Sequence, residues 1–532
     1  MRRQASSRER DVIVVGAGAC GGWAAKQLTE SGLSVLLIDA GPDRDVKTEL
    51  LRLLGLRAAD ERRDRAAAAV RQPIQSRCAS FNAGNSRYFV DDLDNPYAAP
   101  PKKPFDWIRC RGFGGRTTVW NRIALRMSDR QFKAAGHDGA GVDWPLSYAD
   151  LAPFYDRVER YYGLSGSTDR HPEIPDGRYS SSRQLGAPAR RFKAAVEARW
   201  PRRLVTAARQ VGVAAPKRGD AAAALIFGAG ADAVADAKKT GRLETRADAV
   251  VSSVLLDEAS GRAKGVEFVD RLTKKTHRVL GRTVILCASA LESTRILLNS
   301  ATARFPDGLA NSSGVLGHYL MDHVAGVSAE GRIRASGDGS GAGEQLYLPH
   351  FRDDAKRPPR FLRGYGAMVN IGYPWPGRRD WLGCSIYFLG EMLPRFSNRV
   401  ALRRRAPDAW GVPTLRIECA HSRNERAMAA DQAAAGREML EAAGYRVEAL
   451  TPLPGAPGIA SHEMGTARMG IDRRTSVLNP FNQCWDVPNL YVTDAAAFPS
   501  SGFQNPTLTM LALTARACDA IVRKRRPAAR AL

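Results

Sequence analysis

The stretch DVIVVGAGACGGWAAKQLTESGLSVLLIDA, residues 11–40, decides the fold. Asp11–Val15 is a short apolar run rich in valine and isoleucine, the pattern of a strand buried on both faces. Gly16-Ala-Gly-Ala-Cys-Gly21 follows as a tight turn. Gly22–Ser31 is predicted helical, Gly32 stops that helix, and Leu33–Ile38 is a second buried strand. In a G-x-G-x-x-G set between strand and helix, Gly16 permits the turn, Gly18 lets backbone approach a pyrophosphate, and Gly21 allows the helix to pack closely. The helix start adds unpaired N–H donors and the positive end of its dipole. Asp39 ends the second strand, where a carboxylate suits a pair of ribose hydroxyls. The stretch reads as a dinucleotide site, and on its own it does not separate FAD from NAD.

Working outward, the far end of the chain carries a second informative pair, SHEMGTARMG at 461–470 and LYVTDAAAFPSSGFQNPTLTMLALTARACDAI at 490–521. Leu490–Thr493 is a predicted buried strand ending at Asp494, and Pro506 and Thr507 open a helix, proline being tolerated in a first turn. His462 and Asn505 bracket this segment. Alone, His462 reads as a packed histidine, but it precedes a small-residue turn (Gly465-Thr466) rather than sitting on an apolar helix face. His318 and His323 in GHYLMDH read as hydrogen-bonded core or boundary residues, His277 as part of a charged hairpin and His171 as a loop residue. Two further motifs lie between the ends. Arg111-Gly-Phe-Gly-Gly-Arg-Thr-Thr-Val-Trp120 has paired glycines that let main chain lie against something planar. Val284-Ile-Leu-Cys-Ala-Ser-Ala-Leu-Glu-Ser-Thr-Arg295 is a buried strand, small residues and a helix.

At 532 residues, with 44% hydrophobic and 25% charged residues, the chain has ordinary globular composition and room for two domains. No apolar run reaches the ~20 residues of a membrane span. The basic start MRRQASSRER lacks an apolar signal-peptide core, which leaves Arg2 and Arg3 as a weak twin-arginine signal, and a cytoplasmic location is expected. The eight cysteines are scattered without metal spacing, so no metal is expected, and Cys20 and Cys287 read as small core residues. The net charge of +24 is spread along the chain without a nucleic-acid reading motif, so no nucleic acid is expected as partner.

The predicted architecture is α/β: a doubly wound, Rossmann-like domain interrupted by an α+β substrate domain with an antiparallel sheet. Residues 10–45, 105–130, 191–322 and 453–525 are assigned to the nucleotide domain. Residues 46–104 form a connecting segment, helical in 46–80 and extended in 92–107. Residues 131–190 supply substrate-side helices and a polar loop from 164, with Ser147 or Asp150 capping a helix. The substrate domain is 323–452, with strands around Phe361–Gly372, Leu382–Phe388 and Thr414–Glu418, then a helix at 423–443. Residues 242–287 read as strands and a hairpin turning at Asp257–Gly261.

Taken in order, GAGACGGWAAKQL with LLIDAGP, RGFGGRTTVWNR, ILCASALESTRILLNS, HEMGTARMG and NLYVTDAAAFPSSGFQNPTLT resemble the glucose-methanol-choline (GMC) oxidoreductase superfamily over nearly the whole chain. NPYAAPPKKPFDW at 95–107, DWPLSYADLAPFYDRVE at 143–159 and Asn505 resemble its bacterial branch allied to pyranose oxidases and glucoside 3-dehydrogenases. The resemblance implies FAD held by Gly16, Gly18, Ala19, Gly21, Asp39, Ala40, Arg111, Gly114, Gly115, Thr118, Val251, Ala288, Asp494, Ala495, Asn505, Pro506 and Thr507. It implies His462 as the base taking a hydroxyl proton and Asn505 as the amide positioning the same oxygen, with hydride leaving to the flavin. Val119 stands where covalently flavinylated pyranose oxidases carry the linking histidine, so noncovalent FAD is expected. Asn121 replaces a common glycine, Cys287-Ala-Ser289 a more usual small-residue run, and Asp39 a commoner glutamate. The implied substrate is a small-molecule alcohol, sugar or glycoside, with oxygen or an external acceptor taking the electrons. Three alternatives stay open: a non-sugar alcohol as substrate, a non-redox lyase that retains FAD, and a basic nucleic-acid-binding protein with a vestigial nucleotide fold.

Overall fold

Five parallel strands drawn from the beginning, middle and end of the chain make one sheet. The computed structural model describes residues 9–43, 68, 70–82, 84–212, 229–335, 343–352 and 359–525. Arg2, Arg3 and most of the predicted 46–80 helical stretch lie outside these residues. The chain opens with β1 (Val12–Val15), α1 (Ala19–Glu30) and β2 (Val35–Ile38), both strands buried throughout. Helix α1 begins at Ala19 rather than at the predicted Gly22. Two glycines in a first turn argue against a helix by propensity alone. Tertiary packing overrides that preference: a Cβ on Gly21 would lie 1.7 Å from the Gly16 carbonyl oxygen, and one on Gly22 would lie 2.3 Å from that of Gly230.

Helix α2 (Tyr148–Tyr162) starts at Ser147, whose side chain and that of Asp150 form the reciprocal capping box. The polar loop predicted from 164 instead contains β3 (Leu164–Gly166) and β4 (Tyr179–Ser182) before α3 (Ala187–Arg199). Next come β5 (Thr206–Ala207) and β6 (Gln210–Val211), and β3 pairs with both β4 and β6. Helix α4 (Ala229–Lys239) leads into β7 (Leu243–Arg246). A three-stranded antiparallel sheet, β8 (Ala249–Asp257), β9 (Arg262–Asp270) and β10 (Thr276–Leu280), turns at the expected Asp257–Gly261. Strand β11 (Val284–Leu286) then passes into α5 (Ala290–Asn299).

The second large sheet is antiparallel. It is built from β12 (His323–Val324), β13 (Ser328–Arg334), β14 (Glu344–Arg352), β15 (Gly364–Trp375) and β16 (Arg378–Glu391). The hairpin of β17 (Arg399–Pro407) and β18 (Pro413–Glu418) precedes α6 (Arg423–Ala442) and β19 (Arg446–Thr451). The sheet runs β19-β13-β16-β15-β14-β5, with β12 beside β16. Its core joins Val369, Ile371, Ile386 and Phe388 to Met439 and Leu440 of α6 and to Phe192 and Val196 of α3. Residues 191–207 therefore belong with this sheet, not with the nucleotide domain to which 191–322 was assigned. Short β5, only Thr206 and Ala207, carries too little pattern to announce its partner.

The chain closes with β20 (Leu490–Val492) and α7 (Thr507–Arg525). The parallel sheet has the order β20-β11-β1-β2-β7, and its strand directions all agree. From central β1 the order runs outward to β2 on one side and to β11 on the other, the topological switch at which such sheets bind ligands beyond their strand ends. There the Gly16 turn abuts the segment after β11, a Cβ on Gly16 lying 2.4 Å from the Cys287 carbonyl oxygen. All eight cysteines are free, and burial pushes the Cys20 thiol up to about 12, in keeping with a core role.

Arg126 fastens helix α2 to the segment that precedes it. Its guanidinium donates to Glu159 Oε1 at 2.8 Å, to Asp156 at 2.7 Å and to the Tyr148 hydroxyl at 2.8 Å, and Glu159 is wholly buried. Arg126→Met leaves the Glu159 carboxylate without its counter-ion, so a loss of about 3–5 kcal/mol is expected in urea unfolding. An unchanged urea midpoint would show that Glu159 is compensated elsewhere.

Candidate active site

A cavity of about 370 Å³ opens where the parallel sheet, the 111–121 loop and the C-terminal segment meet. That is a size suited to a small-molecule site. The side nearest the parallel sheet is built from Gly16, Gly18, Ala19, Asp39 and Ala40. Gly18 is the N-cap of α1 and makes no side-chain cap hydrogen bond, so the helix's first N–H groups have no side-chain partner there. A Cβ on Gly18 would meet nothing within 4 Å, and its φ of −75° is open to any residue. The room beside Gly18 is thus room for a ligand, and the free amides favour an anionic one.

Asp39 does more than face this cavity. Its carboxylate accepts from the backbone N–H of Ala17 at 2.7 Å, Gly41 at 2.8 Å and Gly112 at 3.0 Å. It thereby ties the glycine turn, the end of β2 and the 111–121 loop together. Burial pushes its pKa up, against the pull of those three amides and of Arg111. Arg111, Gly115, Val251 and Ala288 also line the cavity, whereas Gly21, Gly114 and Thr118 do not. Gly21 serves helix packing. Gly114 has a φ of +95° and caps the short 3-10 turn Gly115–Thr118, in which the Thr118 hydroxyl donates to the Gly115 carbonyl at 2.8 Å.

On the opposite side stand His462, Asp494, Ala495, Asn505, Pro506 and Thr507. Asp494 caps a 3-10 turn, accepting from the Ala496 N–H at 3.0 Å and from the Ser293 hydroxyl, and burial raises its pKa to about 6. Asn505 Oδ1 is buried and has no hydrogen-bond partner among the described residues. A buried amide oxygen left in that state costs free energy unless a ligand supplies a donor.

His462 is held from both its backbone and its ring. Its N–H donates at 3.1 Å to Asp322, whose other carboxylate oxygen accepts from Gly458 at 2.6 Å and Ala460 at 3.2 Å. Its ring Nδ1 lies 2.8 Å from Nδ1 of His323, the two rings nearly perpendicular at 86°. Arg116 donates to the Ser461 carbonyl at 2.7 Å and pairs with buried Glu463 at 2.6 Å. Burial, the neighbouring His323 and the Arg116 cation hold the His462 pKa well below the ordinary histidine value, so the ring is neutral and able to accept a proton. Burial together with the nearby Glu463 charge lifts Asp322 to about 7.

The sequence assigns none of Asp322, His323, Arg116 and Glu463 to the site, and reads His323 as a hydrogen-bonded core or boundary residue. The one signal available was an aspartate set inside the apolar run Tyr319–Val324. A buried charge needs a local partner, and here the partner is the loop carrying His462. The other histidines behave as read: His277 stacks on Phe268 and His318 on Phe396.

Residues 10–325 and 394–514 match the two family profiles described as GMC oxidoreductase. The chain belongs to the GMC oxidoreductase family. A 2-methyl-1,2-propanediol dehydrogenase of Mycolicibacterium austroafricanum is 32% identical over 445 residues, covering 72% of this chain and 75% of that one. The fructose dehydrogenase large subunit of Gluconobacter japonicus is 28% identical over 96% of this chain and 97% of its own length. Among solved structures, pyridoxine 4-oxidase from Mesorbium loti superposes with a TM-score of 0.62 at 20% identity, over 96% of this chain and 99% of that chain. In this GMC oxidoreductase no described helix is long and apolar enough to cross a membrane.

Gly18→Leu is expected to leave the melting temperature of the ligand-free chain unchanged while abolishing retention of bound nucleotide. Gly21→Val, which forces a clash with the Gly16 carbonyl, is expected to lower the melting temperature as well. Full nucleotide stoichiometry in Gly18→Leu, measured on denatured protein, would remove the glycine turn from the ligand site.

Proposed function

We propose that this GMC oxidoreductase binds FAD noncovalently and oxidises a secondary hydroxyl of a sugar, glycoside or related polyol to the ketone. The single observation that carries the reading is the neutral, ring-anchored His462 on the wall of the cavity that also exposes the Gly18 turn and Asn505. The side-chain-free approach at Gly18 and the start of α1, which has no side-chain cap, suit a pyrophosphate. Arg111, Ala288, Asp494 and the 505–507 segment would hold the rest of the FAD. Val119 lines the same cavity and offers no nucleophile for a covalent link at that position.

Bound FAD supplies the hydride acceptor. The chain's own residues do the remaining work. His462 takes the hydroxyl proton as the carbinol C–H bond weakens, because an alcohol with developing alkoxide character releases hydride far more readily than a neutral one. Asn505 donates its amide N–H to the oxygen of the same hydroxyl and fixes its direction. Asp322 holds the backbone of the 458–462 loop, so His462 is placed before substrate arrives. The diol and sugar activities in the names of the relatives above support this substrate class. An anaerobic panel of sugars, glycosides and diols tests it: flavin bleaching supports oxidation, absence of bleaching by any alcohol favours the lyase reading, and readmitting air shows whether oxygen reoxidises the flavin.

His462→Ala is expected to keep the bound flavin spectrum and to slow anaerobic reduction by about 10²–10⁴-fold, with a smaller loss for Asn505→Ala. Unchanged reduction in His462→Ala would reject the assignment. The pH profile follows from the depressed His462 pKa, set by burial, His323 and Arg116. Below its pKa the ring is protonated and cannot accept, so the reduction rate is expected to be flat through neutral and alkaline pH and to fall only in acid. A rate still climbing between pH 7 and 9 would point to a different base.

A further inference from the structure

His323 sits wholly buried on β12, and its two ring nitrogens face two different parts of the site. Nε2 lies 3.0 Å from the carbonyl oxygen of Gly502. A carbonyl has no proton to give, so Nε2 carries the hydrogen and donates. Burial keeps this imidazole neutral, its pKa lowered to about 4. A neutral imidazole has one N–H only, which leaves Nδ1 of His323 as a bare lone pair. That lone pair is 2.8 Å from Nδ1 of His462. Two lone pairs do not meet at such a distance, so the proton between the rings belongs to His462.

From this chain of donors we infer that His323 is a positioning residue that locks His462 in its Nδ1–H tautomer, leaving Nε2 as the only nitrogen able to take a substrate proton. The inference rests on the reading of His462 as the base. When Nε2 receives the hydroxyl proton, the Nδ1–H keeps its bond to His323, and the imidazolium that forms already has a neutral acceptor waiting. No proton moves beyond His462. The charged groups around the pair are Arg116, which faces His462 with Glu463 as its partner, and Asp322, which accepts the His462 backbone N–H. Through Gly502 the same imidazole also grips the segment that reaches Asn505 three residues later, so one buried ring holds both halves of the proposed pair.

Replacement of His323 by its two amides separates tautomer control from scaffolding. In His323→Asn the amide oxygen falls near the position of Nδ1 and still accepts from His462, but the side chain no longer reaches Gly502. In His323→Gln the amide falls near Nε2 and still donates to Gly502, but the acceptor beside His462 is lost. With whichever of D-fructose, D-glucose, methyl β-D-glucoside or 1,2-propanediol reduces the wild-type flavin, His323→Asn is expected to reduce within about fivefold of wild type. His323→Gln and His323→Leu are expected to fall by roughly 10- to 100-fold with substrate affinity little changed. The opposite ranking, Gln active and Asn impaired, would overturn the inference in favour of a scaffolding role.

A second readout is independent of turnover and of how the His323 variants fold. Long-range ¹H–¹⁵N correlation on wild-type protein labelled with ¹⁵N-histidine, the His462 signals assigned by their absence in His462→Ala, should show a protonated Nδ1 and a bare Nε2. A protonated Nε2 would overturn the tautomer assignment. Should none of the four alcohols bleach the wild-type flavin, the functional reading falls, while the nitrogen spectrum still decides the tautomer on its own.

Discussion

The site exists because three strands from distant parts of the chain hydrogen-bond in register inside a dry sheet. Ile13 pairs with Val284 and Val284 with Leu490, so β1, β11 and β20 end at the same level. Each strand is buried on both faces, and an unpaired backbone amide there would be costly, so the ladder has to close. A one-residue slip would misplace the Gly16 turn, the small residues after Leu286 and Asp494 together. Everything the cavity offers on the side of the glycine turn follows from that alignment.

A second constraint acts on the reactive side. His462 lies on an irregular loop, and a loop positions a side chain only if its backbone is held. Asp322 supplies three hydrogen-bond acceptances to the 458–462 segment from within the apolar run that leads into β12. Arg116, itself on the 111–121 loop, accounts for Ser461 and Glu463. Four ionisable groups thus surround the ring, and burial, His323 and the Arg116 cation all act in the same direction to keep it uncharged. In the proposed role, this imidazole is kept neutral chiefly by removal from water.

The parts legible in the sequence are those whose cause is local. Short buried apolar runs announce β1, β2, β11 and β20, the Ser147–Asp150 cap announces α2, and Asp257–Gly261 announces its hairpin. The start of α1 is hidden in the sequence because Gly21 and Gly22 are poor helix formers, explained only by backbones approaching from elsewhere in the chain. Ser-rich β4, with its half-exposed alternation, looks like a loop until Leu164 is beside it. Membership of α3 and β5 in the antiparallel sheet is likewise a fact about partners. Around the cavity, Gly16, Gly18, Asp39 and Asp494 at motif positions line the wall, while Gly114 and Thr118 shape the loop instead. The contact between His323 and His462 spans 139 positions and has no periodicity to betray it.

The order of the strands also governs how the molecule can come into being. Strand β1 is made first, yet its sheet is not complete until Leu490–Val492 has been synthesised. At ~5–20 residues per second, tens of seconds of translation separate the two events. Throughout that interval the glycine turn has neither its β20-side wall nor the segment bearing Asn505. Cofactor capture in this architecture is therefore a closing event of biosynthesis, and a polypeptide released short of its last strand carries the nucleotide fingerprint without a chamber to use it.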